Sequence, residues 1–171
     1  MENPVEAIKD WFRVTPDDYQ GDIINDLFLD GTERLVAKSG HGAGKSATLA
    51  WAGWLFLNFY PLSRVAATAP TFSQLDDVLW PEYARWHLQM PAGLGDQWDI
   101  TGGHIRHKKN PKVHFAVART SNRPENMQGL HGSHIMVQCD EGSGVAPAVF
   151  EVIEGALSEA GTKGKVAKLI M

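Results

Sequence analysis

The amino-acid sequence predicts one α/β domain in which a mostly parallel central sheet is flanked by helices. Three observations support this fold class. Strand-like and helical segments alternate along the chain, a glycine-rich turn joins one strand to a helix, and another apolar strand ends in two adjacent carboxylates. Such alternation is typical of parallel sheets, because the crossover between parallel strands usually contains a helix. The chain has 171 residues, which is the length of a single domain.

Residues 1–31 are predicted to form two helices. Apolar side chains recur at helical spacing in residues 4–13, which indicates an amphipathic helix. Thr15 and Pro16, with the two acidic residues that follow, predict the start of a second helix, because they supply an N-cap, a first-turn proline and negative charge near the positive helix end. This helix is expected to end near Gly31.

Residues 32–171 are predicted to form the α/β core. Its first half is expected to contain a strand at 34–38, the glycine-rich turn, an apolar helix to residue 60, a strand at 64–68 and a helix over 72–89 with a kink at Pro81. Its second half is expected to contain a loop at 91–97, a hairpin of strands 98–101 and 104–107, a strand at 113–118, a loop at 122–132, a strand at 134–139, a helix at 148–157 and a strand at 165–171.

The composition is that of an ordinary folded soluble protein, with 43% hydrophobic and 21% charged residues. The net charge of −4 argues against a basic nucleic-acid-binding module, although a local patch could still contact DNA. The single cysteine, Cys139, excludes a disulfide within the chain and favours a reducing compartment. The N-terminus lacks the features of a signal peptide, and the most apolar run, residues 47–60, is too short to span a membrane.

The glycine-rich turn predicts a phosphate-binding loop. Its residues are Ser39, Gly40, His41, Gly42, Ala43, Gly44, Lys45 and Ser46. The turn lies between a strand and a helix, where glycines let backbone N–H groups surround a phosphate and the helix adds its positive end. Lys45 would contact the β- and γ-phosphates of ATP, and the Ser46 hydroxyl would bind Mg²⁺. Ser39 stands where the motif usually has its first glycine.

Asp140 and Glu141, at the end of an apolar strand, form the second predicted site element. Successive carboxylates at a strand end point in different directions, so Asp140 can serve a magnesium ion while Glu141 activates water. Taken alone, an ordinary acidic turn would explain the pair. Lys45 and Asp140 are 95 positions apart, which leaves room for further strands. This spacing favours a P-loop NTPase of the additional-strand, catalytic-glutamate type. Gln138 is an unexplained polar residue in the strand.

These motifs, in this order, resemble the ATPase part of tailed-phage and prophage terminase large subunits. The other matching segments are Ala67–Thr71, Gly129–Gly132 and Asp140–Val145. The resemblance implies an ATP- and Mg²⁺-dependent motor that moves double-stranded DNA into a procapsid in the host cytoplasm. It also implies a ring of subunits, with the small terminase subunit and the capsid portal as partners. Gln20 would read the adenine edge, for which an amide is suited because it both donates and accepts, unless it is simply an exposed helical glutamine.

The sequence departs from the family pattern in two ways. Some members carry an arginine inside the phosphate-binding loop, where this sequence has His41, which is only partly charged near neutral pH. We therefore expect a neighbouring subunit to supply a compensating arginine, with Arg119 and Arg123 as candidates, although solvent exposure would also explain both. The chain also stops before the coupling motif, lid and nuclease domain of the family, so no nuclease activity is expected.

Two other functions stay open at this stage: a helicase-like nucleic-acid motor, and a nucleotide-binding assembly module without turnover. The histidine- and lysine-rich segment 104–112 is either a DNA-backbone contact or a solvated hairpin tip. Trp51 and Trp54 lie three residues apart in the apolar helix, a spacing that favours core packing over base stacking.

Overall fold

The computed structural model describes residues 3–38, 42–160 and 165–171, which form one seven-stranded sheet with helices packed on both faces. The helices are α1 (Pro4–Phe12), α2 (Asp18–Phe28), α3 (Lys45–Phe59), α4 (Phe72–Gln74), α5 (Trp80–His87), α6 (Ala92–Gly95) and α7 (Pro147–Ala160). The strands are β1 (Arg34–Leu35), β2 (Arg64–Ala69), β3 (Trp98–Thr101), β4 (His104–His107), β5 (Phe115–Thr120), β6 (His134–Cys139) and β7 (Val166–Ile170).

The strand order across the sheet is β1-β7-β6-β2-β5-β4-β3. The strands from β1 to β5 in this order are parallel, and the hairpin of β3 and β4 adds two antiparallel strands at one edge. β1, which leads into the glycine-rich turn, and β6, which ends before Asp140, are therefore separated by one strand. That strand is β7, which follows both of them in the sequence.

Most of the predicted elements are present, and the differences have local causes. The predicted helix over 72–89 is divided by a π-helical turn, Leu75–Leu79, in which the Trp80 N–H donates to the Leu75 carbonyl. Because Pro81 has no N–H and its ring crowds the preceding turn, the widened turn accommodates it. The second helix begins later than expected, with Asp17 rather than Thr15 as its N-cap. The predicted strand at 34–38 is shorter, although the Ala37 N–H still donates to the Met171 carbonyl.

The two faces of the sheet bury different halves of β6. Ile135, Val137 and Cys139 belong to the core beneath α7, whereas Met136 faces the core beneath α3. Strand residues alternate between faces, so Gln138 also points towards α3. Trp51 and Trp54 in α3 are 3% and 0% exposed, which confirms core packing. Within the described residues, no helix has the length and apolar character that a membrane span requires.

Gly53, in the middle of α3, lies against α5 and has no room for a side chain. A Cβ atom at Gly53 would lie 1.7 Å from the Tyr83 hydroxyl oxygen. We expect Gly53→Ala to lower the free energy of unfolding by about 1–3 kcal/mol through overpacking. Gly155→Ala in α7 is the matched control: its Cβ would meet nothing within 4 Å, and higher helix propensity should stabilise it by roughly 0.5–1 kcal/mol. Urea denaturation measures both, and equal midpoints would contradict the prediction.

Candidate nucleotide-binding site

A cavity of about 990 Å³ lies at the carboxyl end of the central strands, beside α2 and the start of α3. This is the end of a parallel sheet at which α/β proteins bind their ligands. Its walls come from α2, from the segment after β1, from α3, and from the residues that end β6 and β7. The lining residues are Tyr19, Asp22, Ile23, Asp26, Leu35, Val36, Ala37, Lys38, Lys45, Thr48, Leu49, Cys139, Asp140, Glu141, Gly142, Ser143, Ile170 and Met171.

Lys45 is the first residue of α3 and lines this cavity. Gly44 precedes it as the N-cap with φ of 72°, and Gly42 has φ of 78°, a left-handed conformation that favours glycine. Two of the predicted glycines therefore occupy positions that turn the chain sharply into the helix. Ser46 is half-buried in the first helical turn. Ala43 lies between the two glycines.

Ser39, Gly40 and His41 lie outside the described residues. Of the predicted site residues that the structure describes, Lys45, Asp140 and Glu141 line the cavity. Gly42–Gly44 and Ser46 adjoin Lys45 in the chain without forming part of the cavity wall.

Asp140 follows β6 directly and is 9% exposed. Its N–H donates to the Thr68 carbonyl over 2.9 Å, which holds it against the end of β2. Burial, followed by the neighbouring charge of Glu141, raises the pKa of the Asp140 carboxyl, whereas a backbone hydrogen bond and the charge of Lys45 act in the opposite direction. The ammonium of Lys45 and the two carboxylates therefore share one electrostatic environment, although Lys45 and Asp140 are 95 positions apart in the chain.

Glu141 adopts a left-handed backbone conformation, with φ of 54° and ψ of 50°. For a residue with a Cβ this conformation costs about 1–2 kcal/mol. Strain of this kind persists where the surrounding structure imposes it, often at functional sites. The Glu141 side chain is exposed, and its carboxylate accepts a hydrogen bond from the amide of Gln74 in α4.

Gln74 is a site residue that the sequence analysis missed. Thr71 and Gln74 form a capping box at the start of α4, in which the Gln74 Oε1 accepts from the Thr71 N–H over 3.0 Å. The other end of the amide is then directed at Glu141. The threonine and glutamine at this spacing could have revealed the helix start, but the contact with Glu141 joins residues 67 positions apart.

Gln20 is buried in α2 and uses both ends of its amide within the protein. Its Oε1 accepts from the Asp17 N–H over 2.9 Å, and its Nε2 donates to the Gly44 carbonyl over 3.3 Å. Gln20 thus supports the glycine-rich turn and is not among the residues that line the described cavity. It is not the exposed helical glutamine of the alternative interpretation. Contact with adenine stays a prediction.

The two candidate arginines differ in their surroundings. The Arg119 Nη1 donates to the carbonyls of Asn126 and Gln128 over 3.0 and 2.7 Å, and burial lowers the pKa of this guanidinium. Arg119 therefore holds the loop that follows β5. Arg123 is exposed on the same loop. Neither arginine lines the described cavity. Action of either one from a neighbouring subunit stays a prediction.

In the sheet, β7 lies between β1 and β6, which is the strand order of an additional-strand P-loop fold. The cavity that Lys45, Asp140 and Glu141 line agrees with this fold. The ATPase domain of the large terminase of Thermus phage P74-26 has this fold, with a TM-score of 0.68 and 18% identity over 99% of this chain and 70% of that chain. A large terminase from a thermophilic bacteriophage, solved in complex with ADP, gives a TM-score of 0.58 at 11% identity, over 99% of this chain and 37% of that one. The predicted fold class is confirmed.

By sequence, the chain is a homologue of the terminase large subunits, which confirms the resemblance of its motifs. It is 31% identical over 153 residues to a probable terminase large subunit of Enterobacteria phage P7, a match that covers 86% of this chain. The match covers 31% of that protein, so the chain spans about a third of its relative's length. No protein-family model matches the chain.

Proposed function

We propose that the chain is the ATP-hydrolysing domain of a terminase large subunit and that it powers translocation of double-stranded DNA into a procapsid. The observation that carries the proposal is the cavity that brings Lys45 together with Asp140 and Glu141. Its relatives and structural neighbours, among them a large terminase in complex with ADP, support the same function.

The residues fit a magnesium nucleotide. Oxygen ligands suit Mg²⁺, and the Asp140 carboxylate and Ser46 hydroxyl are the groups that would hold it. When bound, the ion neutralises charge on the phosphate oxygens. Lys45 would bind the β- and γ-phosphates at the positive end of α3, and Gly42–Gly44 would offer backbone N–H groups to them. Ser39, Gly40 and His41, which lie outside the described residues, belong to the proposed loop on the sequence motif alone.

Glu141 is the proposed general base for the attacking water. It lines the cavity beside Asp140, and its exposed carboxylate is able to reach a water molecule. Gln20 would act at the adenine end through its second N–H and its second lone pair, because its hydrogen bonds to Asp17 and Gly44 use one donor and one acceptor. Of the two arginines, Arg123 is the better candidate for action across subunits, because Arg119 already holds its own loop. Wild-type hydrolysis rates for Arg123→Ala at every protein concentration would rule it out.

DNA is the proposed substrate of the motor, and the hairpin of β3 and β4 is its candidate contact. Four exposed cations lie on or beside this hairpin: Arg106, Lys108, Lys109 and Lys112. Lys108 is partly neutralised by Asp99 at 3.7 Å. In the assembled motor we propose a ring of identical subunits in the host cytoplasm, joined to the capsid portal and the small terminase subunit.

Binding and hydrolysis of ATP by wild type and Lys45→Ala test the proposal. We expect Lys45→Ala to weaken Mg²⁺–ATP binding about 10- to 100-fold, because a charge-assisted contact is worth roughly 1.5–3 kcal/mol. Isothermal titration calorimetry measures binding, and phosphate release measures turnover. Lys9→Ala, which removes an exposed ion pair with Glu6 on α1, is the control and should match wild type.

The same assays separate the alternatives. Equal affinity in wild type and Lys45→Ala would overturn the proposed site. Tight binding without phosphate release would favour an assembly module. Stimulation by single-stranded DNA with strand separation would favour a helicase-like motor.

A further inference from the structure

Gln138 lies at the centre of a buried hydrogen-bond network behind the nucleotide site. It is 0% exposed and lies two residues before Asp140 on β6. Its Nε2 donates to the Leu49 carbonyl over 2.7 Å, and its Oε1 accepts from the Tyr83 hydroxyl over 2.8 Å. Leu49 is in α3, four residues after Lys45, and Tyr83 is in α5. One side chain thus joins three elements.

The orientation of this amide is fixed. A carbonyl oxygen can only accept a hydrogen bond, so the Nε2 of Gln138 must face Leu49, and its Oε1 is left to accept from Tyr83. Burial raises the pKa of Tyr83 well above its ordinary range, so the hydroxyl remains a donor. The glycine at position 53 makes the space that the Tyr83 hydroxyl occupies.

A buried polar side chain at position 138 lowers the stability of the fold unless it forms hydrogen bonds. Ile135, Met136 and Val137, which precede it on β6, are all apolar and fully buried. Burying an amide without hydrogen bonds costs roughly 1–3 kcal/mol in proteins, so an apolar residue would be the simpler choice for packing alone. The amide contributes specificity, because its hydrogen bond to the Leu49 carbonyl specifies one position of α3 relative to β6.

The network lies close to both sides of the proposed site. Leu49 is about 6 Å along the helix from Lys45, at roughly 1.5 Å per residue. Gln138 is about 7 Å along the strand from Asp140, at roughly 3.3 Å per residue. A shift of α3 relative to β6 would therefore change the distance between Lys45 and Asp140 by nearly the same amount. The network also includes Tyr83 of α5, and α5 is continuous with the π-helical turn and α4, whose Gln74 contacts Glu141.

We infer that Gln138 is a positioning residue that sets α3 against β6, and so fixes the phosphate-binding lysine relative to the two carboxylates. The inference rests on the proposed function. Misplacement of reacting groups by about 1 Å can cost on the order of 10²-fold in rate. Loss of the network therefore lowers kcat and leaves the cavity able to bind ATP.

The double variant Tyr83→Phe/Gln138→Leu tests this inference. It replaces the two side chains of the Tyr83–Gln138 hydrogen bond by apolar groups of similar shape, a change that can be nearly neutral for stability. We expect kcat for ATP to fall about tenfold, with KM changed less than about twofold, at a temperature below the Tm of every variant. Tyr83→Phe alone, which removes one hydroxyl, should lower kcat in the same direction and keeps the test available if the double variant does not fold.

His114→Leu is the matched control. The His114 Nε2 makes a buried hydrogen bond of 2.8 Å with the Leu57 carbonyl, at the other end of α3 from Lys45. It should lower Tm without changing kcat. Wild-type kcat in the double variant, or an equal fall in His114→Leu, would overturn the positioning role. Absence of hydrolysis in wild type itself, or wild-type turnover by Lys45→Ala, would instead overturn the proposed function.

Discussion

Replacing Glu141 with glutamine is expected to lower kcat for ATP hydrolysis on the order of 10²–10⁴-fold, because an amide cannot accept the proton of the attacking water. ATP binding should be nearly unchanged, since the change conserves shape and leaves Lys45 in place. Phosphate-release kinetics at saturating ATP measure the fall, and calorimetry measures the affinity. Glu151→Gln, an exposed substitution on α7, is the control and should retain wild-type kcat.

Gln74 makes the Glu141 experiment more specific. Its amide donates to the Glu141 carboxylate, so Gln74→Ala removes a partner of the proposed base and leaves the base itself. A change in kcat for Gln74→Ala that disappears in the Glu141→Gln background would show that both act through the same carboxylate. Retention of the wild-type rate by Glu141→Gln would exclude Glu141 as the base.

Replacing Asp140 with asparagine is expected to stabilise the ligand-free domain and to abolish Mg²⁺-dependent hydrolysis. Burial first, and then the charge of Glu141, raises the pKa of the Asp140 carboxyl above its ordinary value of 3.8. A carboxyl whose pKa is raised in the folded state stabilises the fold below its unfolded pKa, and this contribution is lost as pH rises through the folded pKa. The ionised group therefore costs stability at neutral pH, and asparagine removes that cost.

Thermal unfolding across pH tests the sign of this effect. A gain on the order of 1 kcal/mol corresponds to a rise in Tm of about 2–4 °C for a domain of this size. The gain of Asp140→Asn over wild type should be largest near pH 7 and should shrink as pH falls through the raised pKa. Asp10→Asn, at an exposed position on α1, should show no such dependence. A lower Tm for Asp140→Asn at pH 7 would mean that the carboxylate stabilises the empty fold.

The sequence was most informative where one local pattern determines the structure. The glycines before Lys45 and the apolar strand before Asp140 each predicted an element within a few residues of its observed bounds. The division of the helix over 72–89 was less predictable, because Pro81 can cause either a simple kink or a widened turn. The additional strand was predicted as part of the fold class, but only the structure shows that it is β7, which pairs with both β1 and β6.

Side-chain partners far apart in sequence were the other hidden feature. Gln138 had no explanation in the sequence because its two partners lie 89 and 55 residues away. Gln20 was predicted to contact adenine, which stays a prediction, and its hydrogen bonds to Asp17 and Gly44 could not be foreseen from the sequence. Tertiary hydrogen bonds of this kind follow no local spacing rule, so only the folded chain reveals them.

The pairing of β1 with β7 affects the order in which the parts of the protein fold. In the described sheet β1 pairs with β7, with Arg34 opposite Leu169. A chain emerging from the ribosome, at about 5–20 residues per second, presents β1 long before its neighbour exists. β1 can therefore pair with β7 only after residues 166–170 have been synthesised, so the cavity that Lys45 lines forms late in the synthesis of residues 1–171. Before residues 166–171 are synthesised, the nascent chain lacks the part of the cavity wall that Ile170 and Met171 form.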